Sequence, residues 1–232
     1  MKHEKGAGKA IYWIGGSKGG VGKSMMSIAV LDHLVEKGAE PLLVECDNSN
    51  PDVWKTYREK VPSELVNLDE IDGWIHLVNT CGGQKTHEVV VNTAARSNIG
   101  VRAFGETLDS SLGELGRDVC VLWVINRQRD SLELLKEFIE AVPHGLVHVV
   151  RNGYFGKEGQ YEFYNESKVR EAIESRGGQS LTLPNLADRV ANDIYIKRLT
   201  LSEAAKTLPI GNRAELARWR REVRTMLEKI VA

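Results

Sequence analysis

The feature that most constrains the fold is a glycine-rich segment with the sequence SKGGVGKS, from Ser17 to Ser24. A strand-like apolar run, Ala10 to Ile14, precedes it, and Met25 to Lys37 after it has apolar residues at helical spacing. Glycines let the backbone turn without a Cβ atom in the way, so successive N–H groups can point at phosphate oxygens. The segment therefore predicts a phosphate-binding loop between a strand and a helix.

Two side chains at the end of this loop have the chemistry that a nucleotide requires. Lys23 would place a positive charge beside the β- and γ-phosphates, and the Ser24 hydroxyl would contact Mg²⁺ at the positive end of the helix. Ser17 stands where the strict G-x-x-x-x-G-K-[ST] pattern has its first glycine. A plain connector is the alternative, but a connector has no need for this pair or for a second lysine, Lys18. The loop thus predicts nucleotide binding.

Strand-like and helix-like segments alternate along the chain. Predicted strands follow at Pro41 to Cys46, His87 to Val91, Val119 to Ile125, Leu146 to Val150 and Ser180 to Leu183. Predicted helices lie at Asp52 to Lys60, around Ile71 to Val78, at Val101 to Leu115, at Ser131 to Val142, at Glu166 to Ser175 and through most of the remainder. Such alternation is typical of βαβ units. It predicts an α/β fold with a single doubly wound, mostly parallel sheet and helices on both faces.

Length and composition fit one domain over residues 1–232. The formal net charge of -1 gives no overall attraction to nucleic acid, so DNA binding would need a local basic patch. Met1 to Gly8 lacks the apolar core of a signal peptide, and Val119 to Ile125 is too short to cross a bilayer. Cys46, Cys81 and Cys120 have no paired spacing, which favours reduced thiols and a cytoplasmic protein.

Polar residues follow four predicted strands at the edge that carries the glycine-rich loop, namely Asp47, Asn92, Asn126 and Asn152. Ligands of such sheets bind outside the carboxyl ends of the strands, which makes these residues candidates for the site. Two of them have an alternative. Asp47 could be a solvated loop carboxylate or could cap the helix starting near Asp52, and Asn152 could be a turn residue beside glycine.

The loop resembles the deviant Walker A loop of the ParA/MinD family of P-loop ATPases, which has a lysine directly before the glycine pair, here Lys18. Glu45-Cys46-Asp47 is similar to the family's switch I pattern. Val89 to Ala94 is similar to its switch II, with Asn92 where the family usually has aspartate. Asn152 looks like the family's adenine-reading asparagine, and Pro184 like a residue near the base.

Within that family, the compact chain and the stretch from Asn152 to Gly156 look most like plasmid conjugal-transfer and mobilisation proteins of the TraL and MobD kind. The resemblance implies a P-loop NTPase fold of the SIMIBI type, with ATP and Mg²⁺ as cofactors. GTP is less well supported, because neither Asn126 nor Asn152 begins an Asn-Lys-x-Asp sequence. The nucleotide-binding residues implied are Lys18, Gly19, Gly20, Val21, Gly22, Lys23, Ser24, Met25, Asn152 and Pro184.

The resemblance also implies an ATP-dependent homodimer in which Lys18 reaches the partner's phosphates and neutralises charge on the transferred group. Asp47 would orient the attacking water or help to hold Mg²⁺, and Asn92 would contact the metal through water. A neutral amide at Asn92 contributes no charge, so hydrolysis would be slow or Mg²⁺ held less tightly. On this view Asn92→Asp leaves ATP binding intact and does not slow turnover.

These features favour an ATP-dependent dimerising switch, a weak ATPase that serves plasmid DNA partition, mobilisation or conjugal transfer together with another protein of that complex. A non-hydrolysing ATP-binding scaffold is the main alternative, and a phosphotransferase acting on a small metabolite is a further one.

The C-terminal segment, about 211–231, is a predicted basic amphipathic helix with an apolar stripe. We expect the stripe to pack on its own domain while the arginines stay in water. Contact with DNA or with a membrane surface is the alternative. The arginines that would make such contacts are Arg218, Arg220, Arg221 and Arg224.

Overall fold

The computed structural model describes residues 9–16, 19–95 and 97–231. Within them lie the strands β1 Ile11–Gly16, β2 Pro41–Glu45, β3 Ser63–Leu65, β4 Glu88–Asn92, β5 Val119–Ile125, β6 Leu146–Asn152 and β7 Ser180–Leu183. They form one sheet in the order β3-β2-β4-β1-β5-β6-β7, and each neighbouring pair is parallel. The predicted fold class is confirmed.

Helices cover both faces of the sheet. They are α1 Lys23–Glu36, α2 Asp52–Tyr57, α3 Ile71–Gly83, α4 Asn98–Asp109, α5 Leu112–Leu115, α6 Asp130–Ala141, α7 Glu162–Asn165, α8 Lys168–Ser175, α9 Asp188–Lys197, α10 Leu201–Thr207 and α11 Ile210–Leu227. One apolar layer joins the sheet to α1, α2, α9, α10 and α11, and the other joins it to α3 through α8. Among the described residues, no helix has the length and apolar character needed to cross a bilayer.

The central strand β1 is buried along its whole length and supplies both apolar layers. Tyr12 and Ile14 point into the layer under α1, whereas Ile11 and Trp13 point into the opposite one. The ring of Trp13 lies 5.7 Å from those of both Trp74 and Phe138, measured between centroids. This strand therefore fixes the position of the glycine-rich loop at its carboxyl end.

Three elements differ from the sequence-based prediction, and one of them is α7, which lies before the predicted helix Glu166 to Ser175. Strand β3 was not predicted, because three residues that are largely exposed or half-buried give no clear periodicity. The single helix predicted over Val101 to Leu115 is divided into α4 and α5. At the break, the Ser110 and Ser111 hydroxyls donate to the carbonyls of Glu106 and Thr107, which competes with regular helical bonding.

The C-terminal helix α11 packs on its own domain, as expected. Its stripe of Leu216, Trp219, Val223, Met226 and Leu227 is buried against the layer that contains α1. The guanidinium of Arg220 donates at 2.9 Å to both carboxylate oxygens of Asp32, and Arg224 contacts Glu36. Two of its four candidate arginines are therefore held by acidic residues of α1.

We expect buried His148 to make the fold sensitive to mild acid. Its Nδ1 accepts a hydrogen bond from the Gln179 N–H at 3.1 Å, and burial lowers its pKa to about 4. The unfolded chain takes up a proton near pH 6.5, whereas the folded chain resists it down to about 4. The stabilising effect of this neutral histidine is complete above pH 6.5 and is lost as the pH falls, by up to about 1.4 kcal/mol per pH unit.

Denaturant unfolding between pH 7 and 4.5 measures this effect. Relative to the unmodified protein, His148→Gln should lose less unfolding free energy as the pH falls from 7 to 4.5, because glutamine takes up no proton in this range. Equal slopes for His148→Gln and the unmodified protein would contradict the assignment.

Candidate nucleotide site

The glycine-rich loop has the backbone shape that a phosphate-binding loop needs. Gly20 and Gly22 have φ angles of +77° and +108°, which favour glycine. Helix α1 begins directly afterwards, and the residue at its N-cap, Gly22, has no side chain that could cap it. Its first N–H groups thus face the loop, at the positive end of the helix dipole. Ser17 and Lys18 lie outside the described residues, so the predicted role of Lys18 remains a prediction.

The remaining loop residues lie in the predicted order. Gly19 and Gly20 are exposed, Val21 is buried in the core, and Ser24 and Met25 are half-buried in the first turn of α1. Lys23 is only 7% exposed. Burial lowers its pKa to about 8, and the charge of Asp47 partly opposes this effect. A bound phosphate would also favour the charged form of this lysine, because an opposite charge nearby stabilises it.

Asn152 connects the end of β6 to the loop. Its Nδ2 donates to the Val21 carbonyl at 2.8 Å, and its Oδ1 accepts from the Tyr154 N–H at 3.1 Å. A Cβ atom at Gly22 would lie 2.4 Å from that Nδ2. The turn interpretation of Asn152 is confirmed, since its side chain caps the short 3₁₀ helix Gly153–Phe155. Contact with adenine remains a prediction.

Pro184 lies beside Asn152 because β6 and β7 are neighbours. A Cβ atom at Gly153 would lie 2.6 Å from the Leu183 carbonyl oxygen, so the two strand ends approach closely. The Pro184 carbonyl accepts a 2.7 Å hydrogen bond from the indole N–H of Trp219. Helix α11 therefore holds in place the segment that is predicted to lie near the base.

The end of β2 carries a buried carboxylate that the sequence reading did not select as a site residue. Glu45 is 0% exposed and lies opposite Asn92 in the register of β2 and β4. Asn92 Nδ2 donates to Glu45 Oε1 at 2.8 Å, and Asn92 Oδ1 accepts from the Ser27 hydroxyl at 2.7 Å. In the sequence, the sign that Glu45 has a special role is that it is the charged residue of the otherwise apolar strand β2.

Burial raises the pKa of Glu45 to about 7, and the N–H groups of Asp47, Asn92 and Trp54 partly oppose this effect. A carboxylate at position 92 would stand against this one, and like charges this close disfavour each other. The structure therefore gives a physical reason to expect Asn92→Asp to perturb the site, in contrast to the expectation from the sequence alone.

Asp47 belongs to the loop between β2 and α2. Its side chain is half-buried, and its Oδ1 accepts from the Asn50 N–H at 3.0 Å. The residue that precedes α2 is Pro51, so the alternative in which Asp47 caps this helix is wrong. Its charge is close enough to raise the pKa of Lys23. The structure thus brings Asp47 towards the phosphate loop, and a catalytic role remains a prediction.

Asn126 makes its hydrogen bonds within the loop between β5 and α6 and to the start of that helix. Its Oδ1 accepts from the Gln128 N–H at 2.9 Å and from the Ser131 hydroxyl at 3.1 Å, so it orders the start of α6. A cleft of about 330 Å³ opens beside this loop. Its lining is Asn126, Arg127, Gln128, Phe155, Gln160, Glu162 and Phe163. Of these, Asn126 is one of the four strand-end candidates, and the others were not predicted as site residues.

The donors near the loop suit Mg²⁺. This ion prefers oxygen ligands and keeps several waters and phosphate oxygens when one or two protein groups hold it. Ser24 offers a hydroxyl, Asp47 a carboxylate, and Asn92 an amide oxygen that has a second lone pair beside the one used by Ser27. A magnesium ion held jointly with phosphates fits these residues.

Comparison with known proteins gives relatives along nearly the whole chain. The chain is 60% identical over 223 residues to protein MobD of Acidithiobacillus ferrooxidans, covering 96% of this chain and 98% of that protein. It is 22% identical over 211 residues to protein TraL of Escherichia coli, covering 84% and 86%. No protein-family model matches it.

The fold is similar to that of the cell division ATPase MinD of Pyrococcus furiosus. The TM-score is 0.57 at 13% identity, and the match covers 96% of this chain and 99% of that chain. At this identity the likeness concerns the fold alone, and it supports a P-loop architecture.

We expect alanine at Gly22 to weaken nucleotide binding more than alanine at Gly20. Both changes force a non-glycine residue into a left-handed conformation, at about 1–2 kcal/mol. Only Gly22→Ala also pushes against Asn152 Nδ2, whereas a Cβ atom at Gly20 meets no atom of residues 9–16, 19–95 and 97–231 within 4 Å. Displacing that amide breaks its bond to Val21, which contributes about 1 kcal/mol.

Titration with a fluorescent ATP analogue measures this difference. In an Asn152→Ala background the extra cost of Gly22→Ala over Gly20→Ala should disappear, because the amide that it strikes is gone. A difference that persists there would mean that the contact with Asn152 is not its cause.

Proposed function

Because the chain belongs to the MobD family of ParA/MinD-like P-loop proteins, we propose that it is an ATP-binding switch that dimerises when ATP is bound and hydrolyses it slowly. The observation that carries this proposal is the loop from Gly19 to Lys23, which runs from a central buried strand into the positive end of α1. The process served is plasmid DNA partition, mobilisation or conjugal transfer, in keeping with the names of the relatives.

Each residue near the loop has a proposed task. The loop N–H groups and Lys23 bind the β- and γ-phosphates. Ser24 and Asp47 hold Mg²⁺, and Asn92 contacts it through water; when bound, this ion offsets the negative charge of the phosphates. Asp47 also orients the attacking water. The adenine lies near Asn152 and Pro184, where β6 and β7 end.

The homodimer rests on the resemblance of Lys18 to the family's lysine. In this proposal Lys18 of one protomer reaches the phosphates of its partner and stabilises charge that develops during transfer. Two copies are then needed for each complete site, and dimerisation is coupled to ATP binding.

A second candidate is an ATP-binding scaffold that does not hydrolyse. Asn92 favours it, since a neutral amide stands at the end of β4 and its donor is committed to Glu45. In both cases the partner is another protein of a DNA partition or transfer complex. Direct contact of α11 with DNA or a membrane is less favoured, because acidic residues of α1 already engage Arg220 and Arg224.

A cytoplasmic location is part of the proposal. Cys46, Cys81 and Cys120 are free thiols, each of them buried, and burial raises the pKa of all three. Such thiols are unreactive packing groups.

Mass in solution and phosphate release with Mg-ATP test the proposal. The unmodified protein should dimerise with ATP and release phosphate slowly. Lys23→Ala should bind ATP at least about tenfold more weakly, because it removes a charged phosphate partner. Lys18→Ala should keep binding and lose dimerisation or turnover. Lys37→Ala, at the exposed far end of α1, serves as a control that matches the unmodified protein.

The outcomes separate the candidates. Dimerisation without phosphate release supports the scaffold. If the protein binds no nucleotide, both the switch and the scaffold proposals are wrong.

A further inference from the structure

The buried carboxylate of Glu45 has no role in the function proposed above. We propose that Glu45 is a positioning residue that joins the end of β4 to the loop after β2 and to the start of α2, so that these segments respond to nucleotide as one unit. This inference rests on the proposed function, because the segments that it joins carry Asn92 and Asp47.

Glu45 accepts hydrogen bonds from three separate segments. Its Oε1 accepts from Asn92 Nδ2 at 2.8 Å and from the Asp47 N–H at 3.0 Å. Its Oε2 accepts from the Trp54 N–H at 3.4 Å. The three donors belong to β4, to the loop after β2 and to the first turn of α2. Because the side chain is fully buried, water cannot replace a donor that moves away.

The chain of bonds continues to the phosphate-loop helix. Ser27 lies one turn beyond Lys23 in α1, is 0% exposed, and donates from its hydroxyl to Asn92 Oδ1 at 2.7 Å. An unbroken path therefore runs from α1 through Asn92 and Glu45 to α2. A movement of α1 that accompanies phosphate binding would therefore change the positions of Asn92, Glu45 and the start of α2.

The chemistry of the pair explains why an amide stands at position 92. Asn92 must donate to Glu45 and accept from Ser27, and an amide does both at once. An ionised carboxylate only accepts, so aspartate could not donate to Glu45. The acid and the amide are thus a matched pair across neighbouring strands.

A carboxylate at position 45 is likewise specific. Its two oxygens both accept, so it serves donors on two sides. Glutamine has one accepting atom, and when that atom faces Asn92 and Asp47, its NH₂ group faces the Trp54 N–H. Glu45→Gln should therefore release the start of α2 while keeping the other two bonds.

Backbone amide exchange, followed by NMR on the full chain, tests this proposal. Without nucleotide, the Trp54 amide of Glu45→Gln should exchange about fivefold faster or more, and the Asp47 amide should stay as in the unmodified protein. With saturating Mg-ATP, the Trp54 amide should gain protection in the unmodified protein and gain none in Glu45→Gln. Glu88→Gln is the control, since Glu88 is a buried carboxylate at the opposite end of β4. In this variant the Trp54 amide should exchange as in the unmodified protein.

A reciprocal exchange distinguishes positioning from general damage. In the double variant Glu45→Gln with Asn92→Asp, the glutamine NH₂ donates to the new carboxylate and its oxygen turns to Trp54. Protection of the Trp54 amide should return, and the Asp47 amide should exchange faster instead.

Equal Trp54 exchange in Glu45→Gln and the unmodified protein would overturn the proposal. So would a double variant in which Trp54 stays unprotected. If the unmodified protein binds no ATP, the proposed function fails, while the exchange rates without nucleotide still decide the role of Glu45.

Discussion

The burial of β1 between two apolar layers is the constraint on which the rest of the structure depends. Because every residue from Ile11 to Gly16 is buried, the chain has to leave this strand at a fixed point between β4 and β5. The glycine-rich loop starts there, and left-handed glycines turn it into α1. Each polar residue of the candidate site is then placed by its own strand relative to that point. The site is thus a product of the sheet order.

Much of this arrangement was predictable from the sequence. Val119–Ile125 and Ser180–Leu183 have the predicted bounds, because an apolar run or a proline defines their ends. What could not be predicted depends on register. Glu45 and Asn92 are 47 positions apart, and only the pairing of β2 with β4 shows that they touch. A comparison of motifs selects Asp47 from the switch I pattern and gives Glu45 no role of its own. Its burial and its three donors are properties of the folded chain.

The C-terminal helix shows why charge alone is a poor guide to a binding surface. Arg213 to Ala232 includes six basic and three acidic residues, which is typical of a membrane-surface or DNA-facing helix. In the folded protein Arg220 pairs with Asp32, whose pKa is raised mainly by burial, and Arg218 pairs with Glu215 and Glu222. Arg218 also donates to the Asn185 carbonyl, next to Pro184. These arginines help to attach α11 to α1 and to the segment after β7.

The pairing of Glu45 with Asn92 has a consequence for replacements at these two positions. Neighbouring parallel strands place their last residues side by side, so an acid and an amide at these positions touch although they are distant along the chain. Two amides at these positions keep the bond from Asn92 and lose the one from Trp54, whereas two ionised carboxylates repel each other. The effect of a replacement at either position therefore depends on the residue that stands at the other.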